Sequence, residues 1–222
     1  MKLQVEELTK HFDELQSLYG DKDLRAIPGA GEVCSPKLFL IFINPTSRNV
    51  SSRKEWKGLR APWLGTKNVW RFLCNVGLLD RSLLELIHSK KPEEWSYEFA
   101  ERVYGEVKRN SVYITNLCKL TQKNAKLPSR EIMAKYLDLL KREIEIIKPQ
   151  VIVSFGSLTS SLLLGKTIKI SEYRKKWEEV EINGHRFRVF PVYYPVGQGM
   201  KNIKMAEEDL KWIVQNHCKT RI

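Results

Sequence analysis

Apolar residues recur along the chain with two different spacings. Continuous apolar or alternating runs predict four buried strands, over residues 38–43, 111–119, 151–156 and 186–194. Apolar positions spaced three and four residues apart predict helices over residues 3–18, 67–78, 94–108, 129–147, 157–165 and 203–217. Strands that alternate with helices are typical of a parallel sheet covered on both faces.

The pattern therefore predicts an α/β protein, a three-layer α/β/α sandwich with a central, mainly parallel four-stranded sheet. Asn183-Gly184 lies between two alternating runs and predicts a type I′ hairpin whose second arm is the fourth main strand. Ser129 is a predicted N-cap, and Pro149 ends the helix that follows it. With no repeat or linker-like segment, residues 1–222 are expected to form a single domain.

Polar groups follow the predicted strands where the strands end. Asn44 follows the first strand, Asn116 lies in the second, and Ser154 and Gly156 end the third. The glycine-rich "YYPVGQG" (193–199) ends the fourth. Parallel strands bring their carboxyl ends to one edge of the sheet, where ligands of α/β proteins bind. We therefore expect a pocket of neutral amides, hydroxyls and aromatic rings at this edge.

Cationic residues are concentrated in the same loops. The chain has 38 Lys and Arg against 26 Asp and Glu, a net charge of +12. Such an excess suits nucleic acid or an anionic membrane surface, although a merely solvated basic surface has the same net charge. The loops after the strands supply predicted DNA contacts, namely Arg48, Arg53, Lys54, Lys57, Arg60, Lys119, Lys123, Gly197, Gln198, Gly199 and Lys201. A cationic rim around a pocket would hold phosphates while a base enters the centre.

Several functional classes are disfavoured by the sequence. It has no G-x-x-x-x-G-K-[ST], G-x-G-x-x-G, G-x-S-x-G or H-E-x-x-H motif. The four cysteines form no close pair, so we predict reduced thiols, no metal and no cofactor. The charged N-terminus is unlike a signal peptide, and no segment is apolar enough to span a bilayer. We expect a monomer without membrane contact, cytoplasmic and nucleoid-associated, or nuclear in a eukaryote.

Five segments together resemble the uracil-DNA glycosylase superfamily. "FINPT" (42–46) is similar to G-I-N-P-G of the mismatch-specific branch. "RAPWLGTKNVWRFL" (60–73) and "VYITNLCK" (112–119) resemble the G-R-P-F-V-G and V-Y-I-T-N-V-V-K stretches of the iron–sulfur branch. "KPQVIVSFGSLTSSLLLG" (148–165) resembles that branch's P-x-V-I-V-x-L-G-x-x-A, and "YYPVGQG" takes the place of H-P-S. The resemblance covers roughly residues 30–215 in the same order.

The resemblance implies a DNA repair enzyme that flips a deaminated base, most often uracil, and hydrolyses its N-glycosidic bond. By position, Asn44 would order the attacking water, Trp63 would stack on the base and Asn116 would pair with the base edge. Tyr194 stands where the family's histidine contacts O2 of the leaving uracil. The remaining predicted substrate contacts are Phe42, Ile43, Pro45, Thr46, Ser154 and Gly156.

Departures from the family pattern leave other functions open. Phe42 and Thr46 replace two glycines of the first motif, and the last motif has lost its histidine and serine. The paired N-terminal cysteines of the iron–sulfur branch are absent, so no cluster is expected. Thr46, smaller than the tyrosine of the classical branch, allows hypoxanthine or a mismatched pyrimidine as substrate. The alternatives are a non-catalytic nucleic-acid-binding protein of this fold and an enzyme acting on a free nucleoside or nucleotide.

Overall fold

A computed structural model describes residues 2–123 and 126–218 of the chain. Within these residues the strands are β1 (Ala30–Gly31), β2 (Leu38–Phe42), β3 (Val112–Asn116), β4 (Val151–Phe155), β5 (Glu178–Ile182) and β6 (His185–Val192). The helices are α1 (Lys2–Tyr19), α2 (Asn68–Asn75), α3 (Arg81–Ser89), α4 (Tyr97–Arg109), α5 (Arg130–Ile147), α6 (Ser157–Leu164) and α7 (Ile203–His217).

The sheet has the order β1-β3-β2-β4-β6-β5. Its four central strands, β3, β2, β4 and β6, are parallel, which confirms the predicted parallel core. The predicted number of four strands is wrong, because β1 and β5 add an antiparallel strand at each edge. The hairpin between β5 and β6 is confirmed, since Asn183 and Gly184 both have the positive φ that a type I′ turn requires.

Each strand sends alternate side chains to opposite faces of the sheet. Leu38, Leu40 and Phe42 of β2 join a core cluster with α2, α3, α4 and α7. Phe39 and Ile41 face the opposite way and join a second cluster with α1 and α5. Burial of each of these side chains contributes about 1.5–3 kcal/mol, so both helical layers are fixed to the sheet by apolar packing.

Several predicted boundaries need correction. The helix predicted from residue 94 begins later, because a 3-10 turn occupies Pro92–Glu94 and α4 begins only at Tyr97, capped by Ser96. Helix α3 was not predicted. The second strand ends at Asn116, not at residue 119, and the next two backbone N–H groups donate to the carbonyls of Phe42 and Ile43. These bonds bring the chain after β3 beside the chain after β2.

Candidate active site

A cavity of about 1120 Å³ opens at the carboxyl edge of the central strands. Twelve of the residues predicted from the sequence line it: Ile43, Asn44, Pro45, Thr46, Arg48, Arg53, Trp63, Asn116, Tyr194, Gly197, Gln198 and Gly199. Segments that are far apart in the sequence thus meet in one cavity, as the parallel topology requires. A cavity of this size can hold a small organic ligand.

Asn44 lies on the wall that follows β2. Its side chain is buried, and its Nδ2 donates to the carbonyl of Pro45 at 3.1 Å. This bond fixes the orientation of the amide, so Oδ1 remains available to accept a hydrogen bond from a ligand or a water. Proline fixes the chain direction immediately after the asparagine. The Asn44-Pro45 pair thus presents a neutral acceptor in a fixed place.

Asn116 is the last residue of β3 and lies beside Phe42 in the parallel register. It follows Val112 and Ile114 in the alternation, so its side chain lies on the face of the first core cluster. The side-chain Oδ1 is buried and has no hydrogen-bond partner among the described residues. An unpaired buried acceptor costs about 1–3 kcal/mol. An N–H group of a ligand in the cavity would remove that cost.

Trp63 forms another wall and has an unusual backbone conformation. Its φ of 67° lies in the left-handed region, which is unfavourable for a bulky side chain. Its carbonyl accepts hydrogen bonds from Thr66 N, Thr66 Oγ1 and Trp70 Nε1, at 3.1, 2.7 and 3.1 Å. These bonds hold the strained residue in place, and such strain is concentrated at functional sites. The half-buried indole is therefore held in a fixed orientation at the cavity.

An aromatic cluster supports the inner end of the cavity. Phe42 contacts Trp63 edge-to-face, with ring centroids 4.9 Å apart, and it contacts Tyr194 in the same manner at 6.0 Å. On the other side, Phe42 stacks on Phe155 at 4.6 Å. Because Phe42 is fully buried and does not line the cavity, the prediction that it contacts substrate is wrong. It fixes the two rings that do line the cavity.

Tyr194 follows β6, and two glycines lie close to it. A Cβ at Gly199 would lie only 1.9 Å from the Tyr194 carbonyl oxygen, so this close approach of two backbone segments requires glycine. Gly156 does not line the cavity, contrary to its predicted role in substrate binding; it packs against the Tyr194 ring instead. Burial raises the pKa of the Tyr194 phenol. The group therefore keeps its proton at neutral pH and can donate a hydrogen bond.

Three cationic side chains lie at the cavity, Arg48 and Arg53 from the loop after β2 and Lys67 immediately before α2. Lys54, Lys57 and Lys201 are exposed nearby in sequence but do not line it. Lys123 is also exposed and forms ion pairs with Asp21 and Asp23. Fewer cationic side chains therefore line the cavity than the loop sequences predicted.

Two predicted phosphate contacts are wrong. Lys119 has no exposed surface, and its Nζ donates to Glu143 Oε2 at 2.6 Å and to the Asn116 carbonyl at 2.7 Å. The guanidinium of Arg60 lies in a bidentate pair with Asp13, at 2.6 and 2.9 Å, and its side chain is only 18% exposed. Both cations have protein partners in place of phosphates. A sequence cannot show these partners, because they come from distant helices.

The predicted substrate contact of Ser154 is also wrong. It alternates with Val153 and Phe155, so it lies on the face of the second core cluster, away from the cavity. Its hydroxyl shares a hydrogen bond of 2.8 Å with the hydroxyl of Ser160. The alternation within β4 was a signal in the sequence that could have excluded this residue.

The cavity has further lining residues that the sequence analysis missed. They are Ser47, Asn49, Gly65, Thr66, Lys67, Asn68, Val69, Pro92, Leu127 and Val196. Leu127 is 54% exposed, which is unusual for a large apolar side chain beside a cavity. Lys67 and Asn68 lie where α2 begins, shortly after Trp63 in the sequence, so proximity to Trp63 was the available signal.

The cysteines do not fit an iron–sulfur cluster. Cys74 and Cys218 pack against the first core cluster, Cys118 lies in the second, and Cys34 is exposed. Across residues 2–123 and 126–218, no three His, Cys, Asp or Glu side chains are grouped to hold a metal.

In the same part of the chain, none of the helices combines the length and apolarity needed to cross a bilayer.

Comparisons with known proteins agree with this architecture. The chain is 33% identical over 93 residues to a type-4 uracil-DNA glycosylase of Archaeoglobus fulgidus, covering 40% of this chain and 47% of that protein. The corresponding enzyme of Saccharolobus solfataricus is 32% identical over 110 residues, covering 46% and 50%. The chain thus spans about half the length of the curated relatives it matches. The family model described as Uracil DNA glycosylase superfamily matches residues 28–216, and the chain belongs to that superfamily.

Proposed function

We propose that the protein is a DNA glycosylase that hydrolyses the N-glycosidic bond of uracil in DNA. The observation that carries this proposal is the buried, unpaired Oδ1 of Asn116 in the same cavity as the indole of Trp63. Uracil offers an N3–H donor for this oxygen and a flat face for the indole. Base–aromatic stacking contributes about 1–3 kcal/mol. The names of the type-4 relatives support the same substrate.

In the proposed reaction, the C1′–N1 bond of the flipped nucleotide breaks and its electron pair leaves with the base. Negative charge grows on uracil O2, and the protonated phenol of Tyr194 is the donor we assign to it. The sugar gains positive charge and adds a water at C1′. That water then loses a proton to solvent, and the released uracil anion takes up a proton from solvent. The Oδ1 of Asn44 accepts a hydrogen bond from that water and orients it. Because an amide is a weak base, we expect slow turnover.

The DNA itself would be held by the cations at the cavity. Arg48, Arg53 and Lys67 line the cavity and would meet phosphates next to the flipped nucleotide, and the exposed Lys54, Lys57 and Lys201 would extend this contact. We further propose that the protein acts as a monomer on double- or single-stranded DNA, in the cytoplasm or wherever the cell keeps its DNA.

The small side chain of Thr46 at the cavity supports a broader substrate range. It leaves space where a larger side chain would exclude a methyl group or a second ring. We therefore extend the proposal to hypoxanthine and to mismatched pyrimidines. A Thr46→Tyr variant should lose these substrates while it retains uracil.

The test is release of base from labelled duplexes that contain uracil, hypoxanthine or a mismatched thymine, read as alkali-labile strand breaks. We expect breaks with uracil, and a loss of at least a hundredfold in single-turnover rate for Asn44→Ala. The matched control is Asn75→Ala, an exposed asparagine on α2 that pairs with Glu207, and its rate should stay within twofold. Tight binding without breaks on every duplex would favour the non-catalytic alternative. Release from free nucleosides at a salt-independent rate would favour an enzyme of small substrates.

A further inference from the structure

Helix α1 lies outside residues 28–216, the part of the chain that matches the superfamily. It nevertheless bonds to two chain segments that lead to the cavity. Leu8 and Phe12 of this helix are buried in the second core cluster, against α5. The second half of the helix also carries polar side chains. Of these, Asp13 bonds to the segment that precedes Trp63, and Gln16 bonds to the loop that follows β3.

Gln16 is the more completely buried of the two, with 3% of its surface exposed. Its Nε2 donates to the Thr121 carbonyl at 3.0 Å, and the Thr121 backbone N–H donates to its Oε1 at 2.8 Å. Nε2 also donates to the carbonyl of Asp21 at 3.1 Å. The side-chain amide thus gives Thr121 both of the backbone bonds that a neighbouring strand would give. Without Gln16, these buried groups would lack those partners.

The segment held by Gln16 in turn holds the wall that carries Asn44. Gln122 pairs with Thr46 as an isolated parallel bridge, and Ser47 N donates to the Gln122 carbonyl at 3.3 Å. The Ser47 hydroxyl also donates to the Lys123 carbonyl at 3.2 Å. Thr46 and Ser47 both line the cavity, two and three residues after Asn44. Hydrogen bonds from Gln16 to Thr121 and from Ser47 to Gln122 and Lys123, joined by the backbone between these residues, therefore link α1 to the cavity wall.

A second bond from the same helix reaches the opposite wall. Asp13 holds Arg60 in a bidentate pair, and Arg60 lies three residues before Trp63. Arg60 also donates to the Ala26 carbonyl at 3.4 Å. One rigid helix therefore contacts the chain leading to the stacking indole and the chain beside the proposed water-orienting amide.

We propose that Gln16 is a positioning residue, which holds the Thr46–Ser47 wall through Thr121 and so fixes Asn44 relative to the base. The catalytic consequence rests on the proposed glycosylase function, whereas the structural link does not. A displacement of about 1 Å in a positioned group can lower a reaction rate a hundredfold. Loss of Gln16 should thus slow base release more than it weakens binding of DNA.

The test compares Gln16→Ala with Leu8→Ala. Leu8 is buried in the same helix and belongs to the second core cluster, and its apolar side chain forms no hydrogen bond, so its truncation destabilises α1 without removing a bond to the cavity wall. Both variants are studied well below their unfolding midpoints. Hydrogen exchange is measured at the backbone amides of Ser47 and Thr121, with the Thr66 amide, which donates to Trp63, as an internal reference.

We expect exchange at Ser47 and Thr121 to become at least tenfold faster in Gln16→Ala and to change less than threefold in Leu8→Ala, with Thr66 unchanged in both. The single-turnover rate on a uracil duplex should fall at least tenfold in Gln16→Ala, while its Kd for an undamaged duplex stays within twofold. Unchanged exchange at Ser47, or equal effects of the two variants, would overturn the proposal. If the wild-type protein releases no base, the proposed function fails, and the exchange result alone decides the role of Gln16.

Discussion

The buried pair of Lys119 and Glu143 allows a quantitative prediction about stability. Their side chains are 0% and 1% exposed, and Nζ lies 2.6 Å from Oε2. Glu143 also accepts from the hydroxyl of Tyr113 at 2.8 Å and from that of Thr115 at 3.3 Å. A Lys119→Met variant keeps most of the volume but leaves the carboxylate without its cation. Removing one partner of such a pair costs about 3–5 kcal/mol.

This loss is large compared with a typical total stability of about 5–15 kcal/mol. With a urea m-value of about 3 kcal/mol/M, the unfolding midpoint should fall by roughly 1–1.7 M. The control is Lys166→Met, which removes the partner of Glu178 from an ion pair of similar length, 2.8 Å, at the surface. It should cost less than about 1 kcal/mol, because water screens exposed pairs.

A double variant, Lys119→Met with Glu143→Met, separates charge from packing. It removes both charges together, so it should recover part of the stability that Lys119→Met loses, although Tyr113 and Thr115 lose their acceptor. If Lys119→Met lowers the midpoint no more than Lys166→Met does, the buried pair is not a stabilising contact. The reasoning about this pair would then be refuted.

Three further predictions concern the cavity. Trp63→Ala should weaken binding to a uracil duplex by about 5–150-fold more than binding to an undamaged duplex, because it removes about 1–3 kcal/mol of stacking. Fluorescence anisotropy measures both affinities. Equal weakening for both duplexes would exclude stacking on the flipped base. Because burial raises the pKa of Tyr194, its phenol stays protonated below that raised value, so the single-turnover rate should not fall between pH 6 and 9; a fall in this range that Tyr194→Phe abolishes would contradict the assignment. A double variant of Arg48→Ala and Arg53→Ala should reduce the slope of log K against log salt by about 1.8, since each phosphate contact contributes about 0.9; an unchanged slope would remove both residues from the DNA contact.

The sequence predicted those features that depend on local patterns. The continuous apolar runs of β2, β3 and β4 identified the parallel core, and Asn183-Gly184 identified the hairpin. Because parallel strands end at one edge, Asn44, Asn116 and Tyr194 could be expected to come together, and all three line one cavity.

The errors arose where long-range contacts decide the outcome. Lys119 looked like a phosphate contact because it lies in a basic loop, but Glu143 lies 24 residues away on α5 and nothing local indicates their pairing. Arg60 likewise forms an ion pair with Asp13 of α1, and nothing local in the sequence indicates that pairing. Gln16 was overlooked because its three hydrogen bonds go to backbone groups, two of them 105 residues away. Ser154 differs, since strand alternation alone could have corrected it.

The central claim is that a nucleobase enters this cavity and pairs with Asn116 against Trp63. It is tested most directly by a crystal structure of the Asn44→Ala variant with a uracil-containing duplex. We expect an extruded uracil stacked on the Trp63 indole, with its N3 within about 3.2 Å of Asn116 Oδ1. A uracil that remains stacked in the duplex, or a duplex bound on another face of the protein, would contradict it.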